Sequence, residues 1–215
     1  MEVEVLTIGN FTPALLGIGL SFGLTASYTA EDIDNNPDYI KDRLYHIAHR
    51  LAFKNNGENK FLRLLPVTLD ITAPLYWWKQ MDQYKVATTT LSESTMHTIT
   101  RRPFDLSMFE THNLDENGIK QLQEIIEVLN NVRKHYLETT NDAGLRKSIW
   151  YTLISVLPSA FLQRRIFCCS YATLQNIIEQ RRDHKLEEWK YFIRKVLESS
   201  IHAEYLDRCA PIEME

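Results

Sequence analysis

A helix-length segment that ends in a run of hydroxyl side chains is the part of the sequence best suited to bind a ligand. Four polar residues stand at helical spacing: Gln80, Gln83, Tyr84 and Lys85. All but two of the residues from Thr88 to Thr95 are Ser or Thr. A helix that leads into such a loop offers O–H and backbone N–H donors, which suit phosphate or ribose oxygens, and Lys85 adds a positive charge. A threonine-rich edge strand or a solvated loop would give the same pattern, and spacing alone does not decide between these readings.

Three consecutive aromatic residues, Tyr76, Trp77 and Trp78, precede the polar positions. Consecutive residues of a helix point to different faces, so at least one of these rings must be buried. Another could meet a partner chain or a planar ligand. The sequence therefore predicts a firmly anchored helix directly before the hydroxyl run.

Other reactive residue types do not form a recognisable catalytic or metal site. Cys168 and Cys169 are adjacent and lack the two-residue separation that lets two thiolates share one metal ion. The sequence has no nucleophile-elbow glycine pattern, no Walker motif and no G-x-G-x-x-G. We therefore predict no metal site and assign no catalytic residue.

The elements that position these residues are mostly helices. Alternating β-branched residues predict one strand from Val3 to Ile8 and another from Leu64 to Ile71. Capping residues and helical periodicity predict seven helices. The first is capped by Thr12, the second runs from about Asp38 to Asn55 and the third from Leu75 to about Val86. A long helix begins at Asn113, another follows it and ends at Val156, and the last two run from Tyr171 to Gln180 and from Glu187 to Leu197. We expect two or three strands and six or seven helices, which is a mostly helical α+β fold with a small β-sheet.

Length and charge limit the kinds of partner. The 215 residues fit a single domain over 1–215, whose tail from about residue 200 is expected to be less ordered. A formal net charge of −4 gives no overall attraction for nucleic acid or an acidic membrane. The longest apolar run is too short to span a membrane, and the start lacks the positive charge of a secretory signal. Three cysteines, two of them adjacent, favour reduced thiols and a cytoplasmic location.

The order of these parts resembles the flavin-dependent thymidylate synthases, the ThyX family. Members of that family begin with a strand and a helix, as in "VEVLTIGNFTPALLGIGLSFGLT", and continue with a strand similar to "LPVTLDI". A helix then carries a Gln three residues before Arg-His-Arg, followed by a Ser-rich motif. Gln80 corresponds to the glutamine, and Gln83, Tyr84 and Lys85 correspond to Arg-His-Arg.

A second family signature resembles "LPSAFLQRRIFCCSYATLQNIIEQRRDHKLEEW". Leu157, Pro158 and Leu174 match it, and Arg181 takes the place of the arginine that positions the nucleotide in the family. The resemblance extends from about Val3 to Leu197 and rests on the order and spacing of the motifs.

The resemblance implies a ThyX-like fold and a homotetramer that binds FAD and a uracil nucleotide. It implies methylation of dUMP with a folate and NADPH as co-substrates. The implied cofactor-binding residues are Gln83, Tyr84, Lys85, Thr88 and Thr90, and the implied substrate-binding residues are Gln80, Ser92, Ser94 and Arg181.

Only Lys85 of the three basic motif positions is basic here, and Lys lacks the planar, bidentate grip of Arg on phosphate. A non-catalytic nucleotide-binding protein on the same scaffold is therefore the alternative to an active enzyme, and a partner-binding protein that uses Tyr76 to Trp78 as an interface is a third possibility.

Overall fold

One four-stranded antiparallel sheet lies among many helices in the computed structural model, which describes residues 1–9, 11–35, 40–54 and 56–209. The strands are β1 (Glu2–Ile8), β2 (Pro66–Pro74), β3 (Thr89–Ser92) and β4 (Leu162–Ser170), in the order β1-β2-β4-β3. The two nine-residue strands, β2 and β4, therefore occupy the centre, and the short β3 is an edge strand.

Nine α-helices lie within the described ranges of the chain. They are α1 (Phe11–Ser21), α2 (Ala30–Asn35), α3 (Ile40–Leu51), α4 (Leu75–Met81), α5 (Thr95–Thr98), α6 (Glu116–Glu138), α7 (Ala143–Val156), α8 (Tyr171–Arg181) and α9 (Glu187–Ser199). Short 3-10 helices lie at Glu58–Leu64, Leu106–Met108 and Ala203–Tyr205. The mostly helical α+β class expected from the sequence is confirmed.

The chain divides into two compact units. The first contains Met1–Glu2, Ile71–Gln83 and Leu91–Arg165, and the second contains Val3–Asp70, Tyr84–Thr90 and Ile166–Glu215. The core of the first unit is a cluster of buried residues: Ile99, Phe104, Met108, Phe109, Leu122, Ile126, Leu129, Leu153 and Phe161. The hairpin of α6 and α7 supplies four members of this cluster, because the three-and-four spacing of α6 places its apolar residues on one face.

In the second unit α1 packs on α3, and α8 packs on the 3-10 helix at Glu58–Leu64 and on α9. Tyr171, Leu174, Trp189 and Phe192 of α8 and α9 are fully buried. Gly19 of α1 allows the side chain of the buried Thr25 to pack directly against the helix backbone, since a Cβ at position 19 would lie 2.3 Å from Cγ2 of Thr25. The segment from His202 to Asp207 is also buried.

Several boundaries differ from the sequence prediction. Helix α4 ends at Met81 instead of Val86, because the chain turns after Asp82 and Ala87 takes a left-handed φ of 55° that no helix allows. Residue Thr12 lies inside α1, which begins at Phe11, and its hydroxyl bonds to Asp34 instead of capping the helix. The predicted helix boundaries at Asp38 and Asn55 lie outside the described residues.

The described residues form four strands and nine α-helices, more than the two or three strands and six or seven helices expected from the sequence.

All three cysteines are free thiols. Cys209 is exposed and Cys168 is half-buried, whereas Cys169 is buried, and this burial, together with the adjacent Cys168, raises the pKa of the Cys169 thiol. No helix of the described residues is long and apolar enough to cross a membrane. Within the same ranges, no three His, Cys, Asp or Glu side chains lie together as a metal-binding group.

Candidate functional site

The two sequence motifs meet in the second unit at the hydroxyl group of Tyr84. The Nε of Arg181, in the last turn of α8, donates to the hydroxyl of Tyr84 at 2.8 Å. The same hydroxyl donates to Oε1 of Gln180 at 3.1 Å. Ninety-seven positions separate Tyr84 from Arg181 in the sequence, so this contact is a product of the fold and not of a local turn.

The guanidinium of Arg181 lies against two aromatic rings. Its Cζ is 5.4 Å from the ring centroid of Tyr84 and 5.0 Å from that of Trp189 on α9. Both distances fall within the range of cation–π attraction. Trp189 is fully buried and Arg181 is half-buried, so the rings hold the cation in place while part of it reaches solvent. We call Tyr84, Arg181 and Trp189 the arginine cage.

Two cations and a histidine lie at and directly after the end of α8. Arg181 and Lys185 are positively charged, Asp183 between them is negatively charged, and His184 precedes Lys185. Partial burial, followed by the positive charges of Arg181 and Lys185, lowers the pKa of His184. His184 accepts a hydrogen bond at Nδ1 from the Leu186 N–H at 3.1 Å, and its ring packs against Trp189. The imidazole is therefore neutral at neutral pH, and Arg181 is the fixed cation of the cage.

Arg181 forms no ion pair with any carboxylate of the described residues. The neighbouring Arg182 differs in this respect, because it donates to the buried Asp207 at 2.8 Å. Two adjacent arginines at the end of one helix therefore have different roles. Arg182 ties the helix to the segment at Asp207, whereas the charge of Arg181 is available to an anionic ligand.

The remaining predicted residues of the second unit lie close to Tyr84 in sequence. Thr88 donates its hydroxyl to the Tyr84 carbonyl at 2.8 Å, which closes the turn after α4. Lys85 is exposed, and Thr90 is half-buried within β3. The fold thus brings Tyr84 and Arg181 into direct contact and fixes Thr88 beside them, whereas Lys85 projects into solvent.

The other four predicted residues belong to the first unit. Gln80 is half-buried near the end of α4, and Gln83 donates its side-chain amide to the Lys79 carbonyl at 3.2 Å. Ser92 and Ser94 are exposed. The Ser94 carbonyl accepts the hydroxyl of Thr98 at 2.9 Å. The reading of the hydroxyl run as a threonine-rich edge strand is confirmed for Thr89–Ser92, and the ligand contacts of all nine predicted residues stay a prediction.

A buried network in the first unit holds α4 in place. The indole N–H of Trp78 donates to the Gln163 carbonyl at 2.9 Å, and Arg165 stacks on the Trp78 ring with its Cζ 4.3 Å from the centroid. Arg165 also donates to Gln163 Oε1 and to Asp82 Oδ1, both at 2.9 Å. Burial lowers the pKa of Arg165 against the opposing effect of Asp82. Both Trp77 and Trp78 are buried, as expected for at least one of the consecutive aromatics.

Sequence reasoning missed Trp189 and Arg165 as residues that shape these sites. Trp189 lies on the apolar stripe of α9 and has the pattern of an ordinary core residue. Arg165 lies on a central strand, where a charged residue is uncommon. Its aromatic and carboxylate partners come from α4 and the turn after it, about eighty positions away, so no local signal could have indicated the network.

Solved structures with a similar arrangement of elements include a flavin-dependent thymidylate synthase and a UMP/dUMP methylase. The flavin-dependent thymidylate synthase ThyX from Helicobacter pylori, complexed with FAD and dUMP, superposes with a TM-score of 0.66 at 13% identity, covering 98% of this chain and 100% of that chain. The UMP/dUMP methylase PolB from Streptomyces cacaoi, bound with 5-Br dUMP, superposes with a TM-score of 0.57 at 12% identity, covering 98% and 97%. The chain has a ThyX-like fold.

This finding confirms the fold that the order of the motifs predicted. No family model matches the sequence, and no curated protein matches it. The ThyX-like fold is therefore recognisable in the arrangement of elements, whereas the sequence has diverged to 11–14% identity with the structures that share it.

Proposed function

We propose that the protein is a divergent flavin-dependent thymidylate synthase-like protein that binds FAD and a uracil nucleotide. If it is active, it methylates dUMP with a folate as the carbon donor and NADPH as the reductant. The proposal combines the ThyX-like fold with the arginine cage, and the cage carries it. The hydrogen bond between Arg181 and Tyr84 joins the segment that corresponds to the cofactor motif with the arginine that corresponds to the nucleotide-positioning residue.

The chemistry of the cage suits a nucleotide phosphate. A guanidinium whose Nε is already held by Tyr84 keeps its two terminal nitrogens for a second partner, and Arg binds phosphate oxygens through paired N–H donors. The flanking rings hold the side chain in one orientation, which reduces the conformational entropy that the cation loses when it binds. We assign Arg181 to the substrate phosphate. The assignment of Gln80, Ser92 and Ser94 as substrate-binding residues rests on their correspondence to the family motif alone.

The residues present also fit a flavin cofactor to a limited extent. A diphosphate needs cations or hydrogen-bond donors, and the second unit offers the exposed Lys85 and the hydroxyl of Thr90, whereas the hydroxyls of Tyr84 and Thr88 would have to leave Gln180 and the Tyr84 carbonyl to bind it. Gln83 contributes an amide in place of a charge. When bound, FAD would supply the hydride-transfer chemistry, and the protein would need only to bind and orient it.

A homotetramer is part of the proposal. The hairpin of α6 and α7 exposes large apolar side chains on its outer surface: Ile125, Val128, Leu137, Leu145, Tyr151 and Val156. Six large apolar side chains exposed on one hairpin favour its packing against another chain. We propose that copies of the chain associate through this hairpin, and that the tetramer resides in the cytoplasm, where the three free thiols would stay reduced.

A non-catalytic nucleotide-binding protein on the same scaffold is the alternative. The replacement of two basic motif positions by Gln83 and Tyr84 favours it, because the hydroxyl of Tyr84 is already engaged by Arg181 and neither side chain carries a charge for a flavin diphosphate. Under this alternative the arginine cage would still bind the phosphate of a nucleotide.

The absorbance spectrum of the purified protein, before and after incubation with FAD, tests the cofactor. Flavin bands that stay with the protein on gel filtration support the proposal. Thermal unfolding with and without dUMP then tests the nucleotide, since a ligand that binds only the folded state raises the melting temperature. Oxidation of NADPH that requires dUMP and methylenetetrahydrofolate tests catalysis.

The outcomes separate the two candidates. Bound flavin with dUMP-dependent turnover supports the enzyme. Stabilisation by dUMP without bound flavin or turnover supports the non-catalytic alternative. A colourless protein that takes up no FAD and is not stabilised by dUMP, UMP or dTMP contradicts both.

A further inference from the structure

Helix α3 in the second unit turns a stripe of basic side chains to solvent. Arg43, His46 and Arg50 are exposed and follow one another at spacings of three and four, so they share one face of the helix. Leu44 and Ala48, on the opposite face, are fully buried. We call the three exposed residues the basic stripe. It contains none of the nine predicted site residues and no member of the arginine cage.

The arginines of the basic stripe lack the carboxylate partners that another surface helix of the chain provides for its cations. On α9, Lys190 pairs with Glu187 at 2.7 Å. No residue three or four positions from Arg43 or Arg50 in the sequence is acidic. Neither guanidinium forms an ion pair with a carboxylate of the described residues. Both charges are therefore available to an acidic group from outside.

A cavity of about 430 Å³ opens beside the basic stripe, which supplies part of its lining. Its apolar lining consists of Phe22, Leu24 and Ile47. Asp42 also lines it and lies in the first turn of α3, where a negative charge stabilises the helix N-terminus. Two arginines face this one carboxylate, so the cavity combines a net positive charge with an apolar wall.

The end of α1 fixes the apolar wall of the cavity. Gly23 takes a left-handed φ of 67°, and its N–H donates to the Leu20 carbonyl at 3.1 Å. The Leu24 N–H donates to the Gly19 carbonyl at 2.8 Å. These two bonds form a Schellman motif, which ends a helix in one defined conformation. The motif holds Phe22, which is 54% exposed, beside the cavity, and a preformed contact lowers the entropic cost of binding.

The spacing of the basic stripe matches that of side chains on another α-helix. Arg43 and Arg50 are seven residues apart, which corresponds to about 10.5 Å along the helix axis. Carboxylates at spacings of three and four on a partner helix repeat over the same length, and arginine binds carboxylates through paired N–H donors. A flat membrane surface or a nucleic-acid strand fits less well, because the cavity is concave, Asp42 lines it and the chain has a net charge of −4.

We propose that the basic stripe and the adjoining cavity bind an acidic amphipathic helix of a partner protein. The carboxylates of that helix pair with Arg43 and Arg50, and His46 supplies a ring N–H donor between them. One apolar side chain of the partner helix enters the cavity beside Phe22, as in other complexes in which a helix occupies a groove. The interaction goes beyond the proposed function and requires neither FAD nor a nucleotide, since no predicted site residue lines the cavity.

Fluorescence polarisation with a labelled synthetic helix tests the proposal on the full-length protein. The probe is an alanine-rich peptide of about 20 residues, long enough to form a helix in isolation, with three glutamates at the spacing of the basic stripe and one leucine beside them. The unchanged protein should bind this peptide, and added salt should weaken the binding. A peptide with glutamine in place of the three glutamates should bind at least roughly tenfold more weakly, because the charge-assisted pairs are lost.

Three variants locate the binding site. Arg43→Gln/Arg50→Gln should weaken binding roughly tenfold or more. The matched control Lys190→Gln/Arg194→Gln removes the same charge from α9 of the same unit, where both cations have carboxylate partners, and should bind the peptide as the unchanged protein does. Phe22→Ser keeps every charge but removes the apolar contact, so it should weaken binding roughly threefold or more. All of these side chains are at least partly exposed, and thermal unfolding verifies that each variant is folded.

Several results would overturn the proposal. They are failure of the unchanged protein to bind the glutamate peptide, unchanged affinity in Arg43→Gln/Arg50→Gln, and an equal loss in the α9 control. Binding of phosphatidylserine vesicles in place of the peptide would assign the basic stripe to a membrane. A dimer of the unchanged protein that Arg43→Gln/Arg50→Gln dissociates in sedimentation would assign it to a second copy of the chain. Uptake of FAD and dUMP by the same variant should equal that of the unchanged protein, so failure of this proposal is distinguishable from failure of the proposed function.

Discussion

Replacement of Arg181 by methionine is the most direct test of the arginine cage. Methionine keeps an unbranched apolar stem of similar length but removes the charge and the Nε–H donor. The substitution therefore deletes the hydrogen bond to Tyr84 and both ring contacts while it preserves much of the packing against Trp189.

The expected cost to folding is moderate. Each cation–π contact at a partly exposed site contributes about 0.5–1 kcal/mol. The hydrogen bond from the cation contributes about 1.5 kcal/mol, at the lower end of the range for charged groups, because Arg181 is only half-buried. These contributions are not additive, so we expect a loss of about 2 kcal/mol and a melting temperature lower by about 4–8 °C for a chain of this length.

The substitution Arg181→Met should also weaken dUMP binding strongly. Loss of a charged hydrogen-bond partner of a phosphate costs about 1.5–3 kcal/mol, which is a roughly 10- to 150-fold increase in the dissociation constant for dUMP. Arg181→Lys should give an intermediate loss, because lysine keeps the charge but not the two parallel donors. Isothermal titration with dUMP measures both variants under conditions in which each is folded.

Arg182→Met is the matched control for this experiment. Arg182 is the next residue of the chain, but it pairs with Asp207 and does not belong to the cage. This variant should be less stable and yet bind dUMP with unchanged affinity. If Arg181→Met bound dUMP as well as the unchanged protein, or if Arg182→Met lost as much affinity, the arginine cage would not be the phosphate site.

Two further predictions concern stability. Burial alone raises the pKa of Asp207, but hydrogen bonds from Arg182 and the Cys209 N–H lower that pKa overall. The ion pair therefore stabilises the fold fully at any pH above the ordinary aspartate pKa. This stabilisation is lost as the pH falls through the lowered pKa of Asp207. Arg182→Met should therefore lower the free energy of unfolding by about 1–3 kcal/mol at pH 7, and the difference from the unchanged protein should shrink in denaturant titrations below about pH 4; a difference that is constant with pH would contradict this reasoning. Gly19→Ala should also destabilise the protein, by about 1–3 kcal/mol, because the new methyl group would collide with Thr25, whereas Gly17→Ala in the same helix meets no atom within 4 Å and should stabilise it by up to about 1 kcal/mol. Equal melting temperatures for the two alanine variants would show that the contact with Thr25 relaxes without cost.

The long helices and the first two strands were predictable because their periodicity is strong. Helix α6 keeps Leu122, Ile126 and Leu129 on one face, and Asp115 caps it by accepting the Gly118 N–H at 2.7 Å, so both its face and its start follow from local sequence. Strand β2 alternates buried residues at Val67, Leu69 and Ile71 in the same way. In these elements the local preference and the tertiary packing agree.

Strand β4 was not predictable from local pattern. Its sequence places Gln163, Arg164 and Arg165 before a Cys pair and contains a single β-branched residue, so neither alternation nor composition indicates a central strand. The Gln163 side chain donates to the Glu93 carbonyl and to Thr95 and accepts from Arg165, and Arg165 donates to Asp82, so these bonds compensate for burying polar side chains in the strand. This is a tertiary effect that overrides local propensity.

The candidate site was predictable only in part. The order of motifs indicated Tyr84 and Arg181 separately, one for a cofactor and one for a substrate, and did not indicate that they touch each other. That contact depends on the angle between α8 and the turn after α4, and the ring of Trp189 completes it from a third element. Geometry of this kind arises only once the helices have packed.

The unequal burial of the three cysteines has a practical use. At neutral pH the thiol of Cys169 is both shielded and protonated, whereas Cys209 is exposed and its backbone N–H is held by Asp207 at 2.9 Å. A maleimide fluorophore should therefore react preferentially at Cys209 in the folded chain, with Cys168 slower and Cys169 silent until the protein denatures. The wild-type sequence thus offers a spectroscopic reporter beside the Arg182–Asp207 ion pair without any engineered residue.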